Sequence, residues 1–164
     1  MMSRGSSAIR VRPARASDRE AVIPLWAEMM RVHHALDPRF RPVPNAERLF
    51  RENYARMVSD RNACVFVAER AAALVGYTAG TIRVMHELLE PRFVGYITDI
   101  SVAPGARRAG VGGALVGALK TWYRERAIGV VLLRASSLNS ASLGFWQAMG
   151  WSEHMREMWY EEGP

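Results

Sequence analysis

Ile9 and Val11 alternate with Arg10 and Arg12 ahead of Pro13, a period of two that predicts a short strand. Ser17, Asp18 and Glu20 then precede Val22, Leu25, Trp26, Met29, Met30 and His33, an apolar series at helical spacing, so an amphipathic helix capped at Ser17 is expected. Pro38, Pro42 and Pro44 make the next stretch a stiff, non-helical connection, followed by a second helix from about Asn45 to Met57. Ala63 to Glu69 and Leu74 to Val84 read as the two strands of a hairpin turning at Arg70 to Ala72, with Gly76 or Gly80 as the site of a bulge. Phe93 to Val102 is apolar on both faces, the pattern of a central strand covered by helices, and Pro104-Gly105 ends it. A helix from about Gly110 to Arg126, a strand Val130 to Ala135, a helix Ser140 to Met149 and a final strand Trp151 to Tyr160 complete the chain. This order predicts an α/β (α+β) fold with a mixed sheet in one domain over residues 8–162, after a small, polar and disordered start at 1–7.

Composition narrows the function classes. With 164 residues, 49% of them hydrophobic and 23% charged, the chain has the make-up of a globular domain with a real core. No apolar run approaches the roughly 18 to 20 residues of a membrane span, and Met1 to Arg12 lacks the apolar core of a signal peptide, so a cytoplasmic protein is expected. Cys64 is the sole cysteine, which excludes an intrachain disulfide, and no Cys/His spacing suggests a metal. It precedes Val65-Phe66-Val67 in an apolar strand and reads as a buried structural thiol. The net charge of +6 comes from scattered arginines, Lys120 being the only lysine; a nucleic-acid partner is not expected, whereas an anionic nucleotide cofactor or acidic substrate suits such a surface.

The segment from Val102 to Leu115, VAPGARRAGVGGAL, carries the candidate chemistry. A central strand runs through a basic, glycine-rich turn into a helix. Gly110, Gly112 and Gly113 allow close backbone approach, the helix start offers N–H groups and a favourable dipole to an anion, and Arg107 or Arg108 can add charge-assisted bonds. Glycines that merely bring a helix close to a sheet are the alternative. The Gly-Lys-Ser/Thr of a triphosphate loop and the Gly-x-Gly-x-x-Gly of a dinucleotide site are both missing.

With Arg107-x-x-Gly110-x-Gly112 and the later run from Asn139 to Trp151 (NSASLGFWQAMGW), the chain resembles the GNAT N-acetyltransferase superfamily over about residues 9–160. The resemblance implies a mixed, mostly antiparallel central sheet with a splayed strand pair, flanked by about four helices. It also implies acetyl-CoA as cosubstrate and transfer of its acetyl group to a primary amine, of a small molecule or a protein N-terminus, by direct attack in a ternary complex. Carried over position by position, Ile100, Ser101 and Val102 offer backbone groups to pantetheine. Arg107, Arg108, Ala109, Gly110, Val111, Gly112 and Gly113 surround the diphosphate, and Asn139 contacts the pantetheine or diphosphate region.

Departures from the family pattern mark the catalytic questions. Trp146 stands where many relatives have a tyrosine acid; an indole N–H donates a hydrogen bond but transfers no proton near neutrality, so Trp146 is expected to pack the core and wall the acetyl end of the tunnel. Thr98 occupies the place of a glutamate base, with Asp99 adjacent, which leaves Asp99, Tyr96, His86 and Glu87 as base candidates. Acceptor contacts are expected from His33 to Arg41 and Met85 to Arg92, among them His34, Asp37 and Phe40, although His33 and His34 also read as an ordinary helix end. The departures at Trp146 and Thr98 also admit a non-catalytic acetyl-CoA sensor. The family's last strand is missing or very short, so the final strand, near Met155, Met158 and Trp159, is expected to leave an edge that a second subunit covers in a homodimer.

Overall fold

The computed structural model describes residues 8–163, and the expectation for 1–7 lies outside them. The elements are β1 (Arg10–Pro13), α1 (Arg19–Leu36), α2 (Ala46–Ser59), β2 (Ala63–Arg70), β3 (Ala73–Val84), β4 (Phe93–Val102), α3 (Val111–Arg124), β5 (Val131–Leu133) and α4 (Ser140–Ala148), with single 3-10 turns at Ala16–Asp18 and Pro104–Ala106. The five strands form one sheet in chain order, antiparallel except for the parallel pair β4 and β5. This is the mixed, mostly antiparallel sheet with four helices that the sequence predicts. Up to Arg134 the chain forms one compact unit, and from Ala135 a second.

In the first unit the sheet has two apolar faces. Val22 and Leu25 of α1 and Tyr54 and Met57 of α2 meet Val65, Val67, Tyr77 and Ala79 on one of them. Val111 and Leu115 of α3 meet Ala68 on the other, with Phe66, Val75, Ile100 and Val102 against them. The entry to α1 differs from expectation: Asp18, not Ser17, carries the polar contacts. Its carboxylate accepts the Arg15 N–H at 2.7 Å and two bonds from Arg12, at 2.7 and 2.9 Å, while Arg12 also bonds Glu69 of β2 at 2.8 Å. A carboxylate outcompetes a hydroxyl here because it can accept from the turn and from a guanidinium together.

Both glycines proposed as bulge sites border an irregularity. Val75 is the extra residue of β3 beside Gly76, and Thr98 is the extra residue of β4, between Ile97, paired with Gly80, and Asp99, paired with Ala79. Gly80 has a second task, shared with Gly95. The ring of Tyr123, on α3, lies directly on both: a Cβ on Gly95 would stand 2.6 Å from a Tyr123 ring carbon. The Tyr123 hydroxyl donates to the carbonyls of Tyr96 at 3.1 Å and Thr81 at 3.4 Å.

The second unit begins a helix with Asn139, whose side chain accepts the Ser142 N–H at 3.0 Å, and ends it at Gly150, with φ of 96°. Trp146 packs edge-on against Phe145 and Trp151, at centroid distances of 5.0 and 5.2 Å. The strand expected from Trp151 to Tyr160 is absent: residues 151–163 have no regular secondary structure. Its apolar residues do not alternate, Met155 and Met158 being three apart, so no face of a pleat is apolar; Met155, Met158 and Tyr160 are exposed. The homodimer expectation therefore loses the strand edge on which it was based.

Gly95→Ala should lower stability by about 1–3 kcal/mol through overpacking against Tyr123. Gly117→Ala, within α3 where an added Cβ meets nothing within 4 Å, should raise it by up to about 1 kcal/mol. Urea midpoints of the two variants against the parent check both signs.

Candidate active site

β4 changes partners along its length. Its pairing with β5 covers Gly95 with Val131, Tyr96 with Leu132 and Ile97 with Leu133, and no further. From Thr98 to Val102 the strand keeps β3 on one side and, among the described residues, has no strand on the other. The bulge falls where the two strands part, and the Thr98 hydroxyl donates to the Ala79 carbonyl across it at 3.3 Å. Backbone groups on that side of the second half of β4 thus lack a neighbouring strand to pair with.

Beyond β4 the glycine-rich turn is built as its composition requires. Arg108 has φ of 61° and Gly110 φ of 81°, both left-handed, the first costly for a side-chain-bearing residue and the second easy for glycine. Ala109 lies between them. Gly110 immediately precedes α3, whose first backbone bond runs from the Ala114 N–H to the Gly110 carbonyl at 3.0 Å. The N–H groups of Val111, Gly112 and Gly113 consequently open the helix without intrahelical acceptors, at its positive end. Val111 anchors this end, its side chain buried beside Leu115.

The two arginines of the turn are not equivalent. Arg107 folds back, its Nε donating to the Val102 carbonyl at 3.1 Å and its Nη2 lying 3.5 Å from the Glu28 carboxylate of α1. Arg108 is exposed. Of the other residues expected to touch cofactor, Ile100 packs on the α3 side of the sheet. Ser101 is buried on the α1 side, where its hydroxyl donates to the Leu25 carbonyl at 2.7 Å. Asn139 and Trp146 lie in the second unit, Asn139 with its side-chain oxygen occupied as the α4 cap.

Asp99 sits on the α1 side of β4, beside the bulge. Burial raises its pKa above the ordinary carboxylate value, opposed by the adjacent Thr98 hydroxyl and by the charge of His33. Tyr96, the other base candidate on this strand, lies with the Arg83 guanidinium 3.8 Å over its ring centre. His86, in the loop after β3, accepts the Leu88 N–H at 3.1 Å, and Glu87 is exposed in the same loop. Cys64 is buried in β2, and burial pushes its thiol up to about 12.

The three acceptor candidates are dispersed. Asp37 is buried, bound by the Arg39 side chain at 2.7 and 2.8 Å, and held well below the usual carboxylate range by that guanidinium. Phe40 is exposed and tilted against His33, with ring centres 5.8 Å apart. His34 lines a groove of about 310 Å³ with Trp26, Met30, Val43 and Pro44. His33, one residue earlier, is the histidine whose charge reaches Asp99. Its sequence signal was its place in the apolar series Val22, Leu25, Met29, which turns it toward the sheet, whereas His34 is about 100° further round the helix. The buried Tyr77 hydroxyl, near Asp99, had no comparable signal. Among the described residues no helix is long and apolar enough to cross a membrane, and no three His, Cys, Asp or Glu residues are grouped to hold a metal.

Comparison with curated proteins finds no match. Among solved structures, the aminoglycoside antibiotic 6'-N-acetyltransferase of Acinetobacter baumannii is 17% identical, with 96% of this chain and 99% of that one covered and a TM-score of 0.76. An aminoglycoside N-acetyltransferase in complex with CoA is 20% identical, with 99% of both chains covered and a TM-score of 0.77. A mutant form of a Bacillus halodurans protein is 17% identical, with 93% and 99% covered and a TM-score of 0.84. At these identities the likeness is one of fold. The family match is to sequence and spans residues 26–151, from within α1 to Trp151, and includes the glycine-rich turn. The chain therefore belongs to the acetyltransferase (GNAT) family and is an acyl-CoA-dependent acetyltransferase.

Proposed function

We propose that the chain transfers the acetyl group of acetyl-CoA to a primary amine, on a small molecule or a protein N-terminus, by direct attack while both are bound. The observation that carries this reading is the run from the unpaired half of β4 through the left-handed turn to the open N–H groups of α3. An elongated ligand with amide groups at one end and a diphosphate at the other fits that sequence of donors. The aminoglycoside acetyltransferases similar in fold make aminoglycosides the first acceptors to try.

In this reading the N–H groups at the start of α3, with Arg108, hold the diphosphate, and Thr98 to Val102 receive the pantetheine amides. Arg107 serves differently, tying the turn to β4 and α1. Bound acetyl-CoA supplies an activated acetyl thioester. Backbone N–H groups of β4 near the bulge polarise the acyl oxygen, and Asp99 accepts the proton of the incoming ammonium group. Cys64, buried and protonated at neutral pH, takes no part, so no acyl-enzyme forms.

Acetyl-CoA at about 100 times its Kd should stabilise the protein by about 2.7 kcal/mol. Arg108→Ala should weaken its binding at least about tenfold, the loss of one charge-assisted contact. Calorimetric titration and thermal midpoints test both, and an unchanged midpoint with acetyl-CoA would sink the reading.

Asp99→Asn should lower kcat about a hundredfold or more and leave acetyl-CoA binding intact. The active form is the carboxylate. Because its pKa is raised, activity should fall as pH drops through a point above the usual 3.8. Thiol-release rates against pH, for the parent and the variant, give the answer.

A further inference from the structure

Tyr77 presents the one buried polar side-chain atom that lacks a hydrogen-bond partner among the described residues, its phenolic oxygen. The residue is 1% exposed, in the core between the sheet and the helices α1 and α2. Leaving a hydroxyl unbonded in such a place costs roughly 1–3 kcal/mol, and phenylalanine would fill the same space without that penalty. A hydroxyl kept there calls for a reason in what surrounds it.

The strand register supplies one. Tyr77 pairs with Ser101, and Asp99 pairs with Ala79, two positions along on the same face of the sheet. Tyr77 and Asp99 are therefore diagonal neighbours, a separation that an aromatic side chain can span. They are also electrostatically coupled, since the Asp99 charge, after burial, pushes the Tyr77 hydroxyl further above its ordinary value. From above, α1 brings His33, half-buried and packed on Phe40, whose charge acts on Asp99. Two other polar groups on this face are occupied elsewhere, the Tyr54 hydroxyl of α2 donating to the Arg15 carbonyl at 2.9 Å and Ser101 to the Leu25 carbonyl, and the Tyr96 ring lies under Arg83.

We propose that Tyr77 and His33 are positioning residues for Asp99: the Tyr77 hydroxyl, unbonded in this structure, closes on the Asp99 carboxylate and donates to it when that group is ionised, and the His33 imidazole receives from Asp99 the proton taken from the acceptor amine and delivers it to solvent. This rests on the role given to Asp99 above. The step balances simply. A proton leaves the ammonium nitrogen for a carboxylate oxygen of Asp99, then passes to a ring nitrogen of His33, which becomes an imidazolium and releases it. No electrons are exchanged, and Tyr77 keeps its own proton. Imidazole suits this duty because one ring nitrogen can accept a proton while the other releases one. His33, near the end of α1, is half-buried, as Asp99 is, so its ring can exchange a proton with solvent.

The test reads Asp99 itself in the full-length protein, without acetyl-CoA or acceptor. Carbon-13 NMR of the side-chain carboxyl groups, with the Asp99 signal assigned by its loss in Asp99→Asn, follows its titration in the parent, Tyr77→Phe and His33→Gln. A donated hydrogen bond and a cationic neighbour both favour the charged carboxylate, so removing either should move the Asp99 midpoint to higher pH, by about half a unit or more. In turnover, the acidic limb of kcat/KM against pH should move the same way in both variants. A midpoint that stays in place in either variant overturns the proposal. Because the titrations need no substrate, a protein that failed to bind or use acetyl-CoA would refute the proposed reaction and leave the coupling of the three residues to be judged separately.

Discussion

The site depends on how closely α3 can lie on the sheet. Gly76, Gly80 and Gly95 form the floor on which it rests: Val111 and Leu115 approach the first, and the Tyr123 ring covers the other two. Larger residues there would lift the helix, and its N-terminus, away from the end of β4. The Tyr123 hydroxyl completes this contact by bonding carbonyls of both β3 and β4, so the helix is held by packing and by direction together. The glycines on which the helix packs therefore lie beneath it, in β3 and β4, whereas a Cβ on Gly110, at its start, would meet nothing within 4 Å.

The parting of β4 from β5 is the second constraint. Three residue pairs suffice to hold β5 in the sheet, and the extra residue Thr98 follows immediately. A bulge bends and twists its strand, which turns the remaining half of β4 away from the line of β5. The same irregularity separates Tyr96 from Asp99 by two intervening residues while both remain on the α1 face. One local insertion thus accompanies both the unpaired half of β4 and the seat of the half-buried Asp99 carboxylate.

What was legible in the sequence was written in residues whose backbone needs are narrow. Gly110 at a left-handed φ, and strands of β-branched residues on both faces, declare themselves because few alternatives fit. Positions decided by tertiary partners did not. Ser17 looked like the cap, but Arg12, supplied by β1, recruited Asp18. Arg107 and Arg108 are interchangeable on paper, and only the reach of Arg107 to the Val102 carbonyl and Glu28 tells them apart. The strand expected from Trp151 to Tyr160 does not form, its apolar residues lacking the period of two that a half-buried strand requires. Likewise His34 was preferred to His33 when the helical phase already separated them, whereas Tyr77 could be recognised only from its bonding in three dimensions.

Asp99 shows why the site and the stability of the fold cannot be optimised together. Burial raises its pKa, so the folded chain binds the proton of Asp99 more tightly than the unfolded chain does. Above the folded pKa the ionised carboxylate costs the native state free energy, and the cost fades as pH falls through that value toward the usual 3.8. Thr98 and the charge of His33 reduce the penalty without removing it. A fold selected for stability alone would place an apolar residue at this point in the middle of its sheet. A carboxylate there, made more basic by its surroundings, suits the role of base proposed for Asp99.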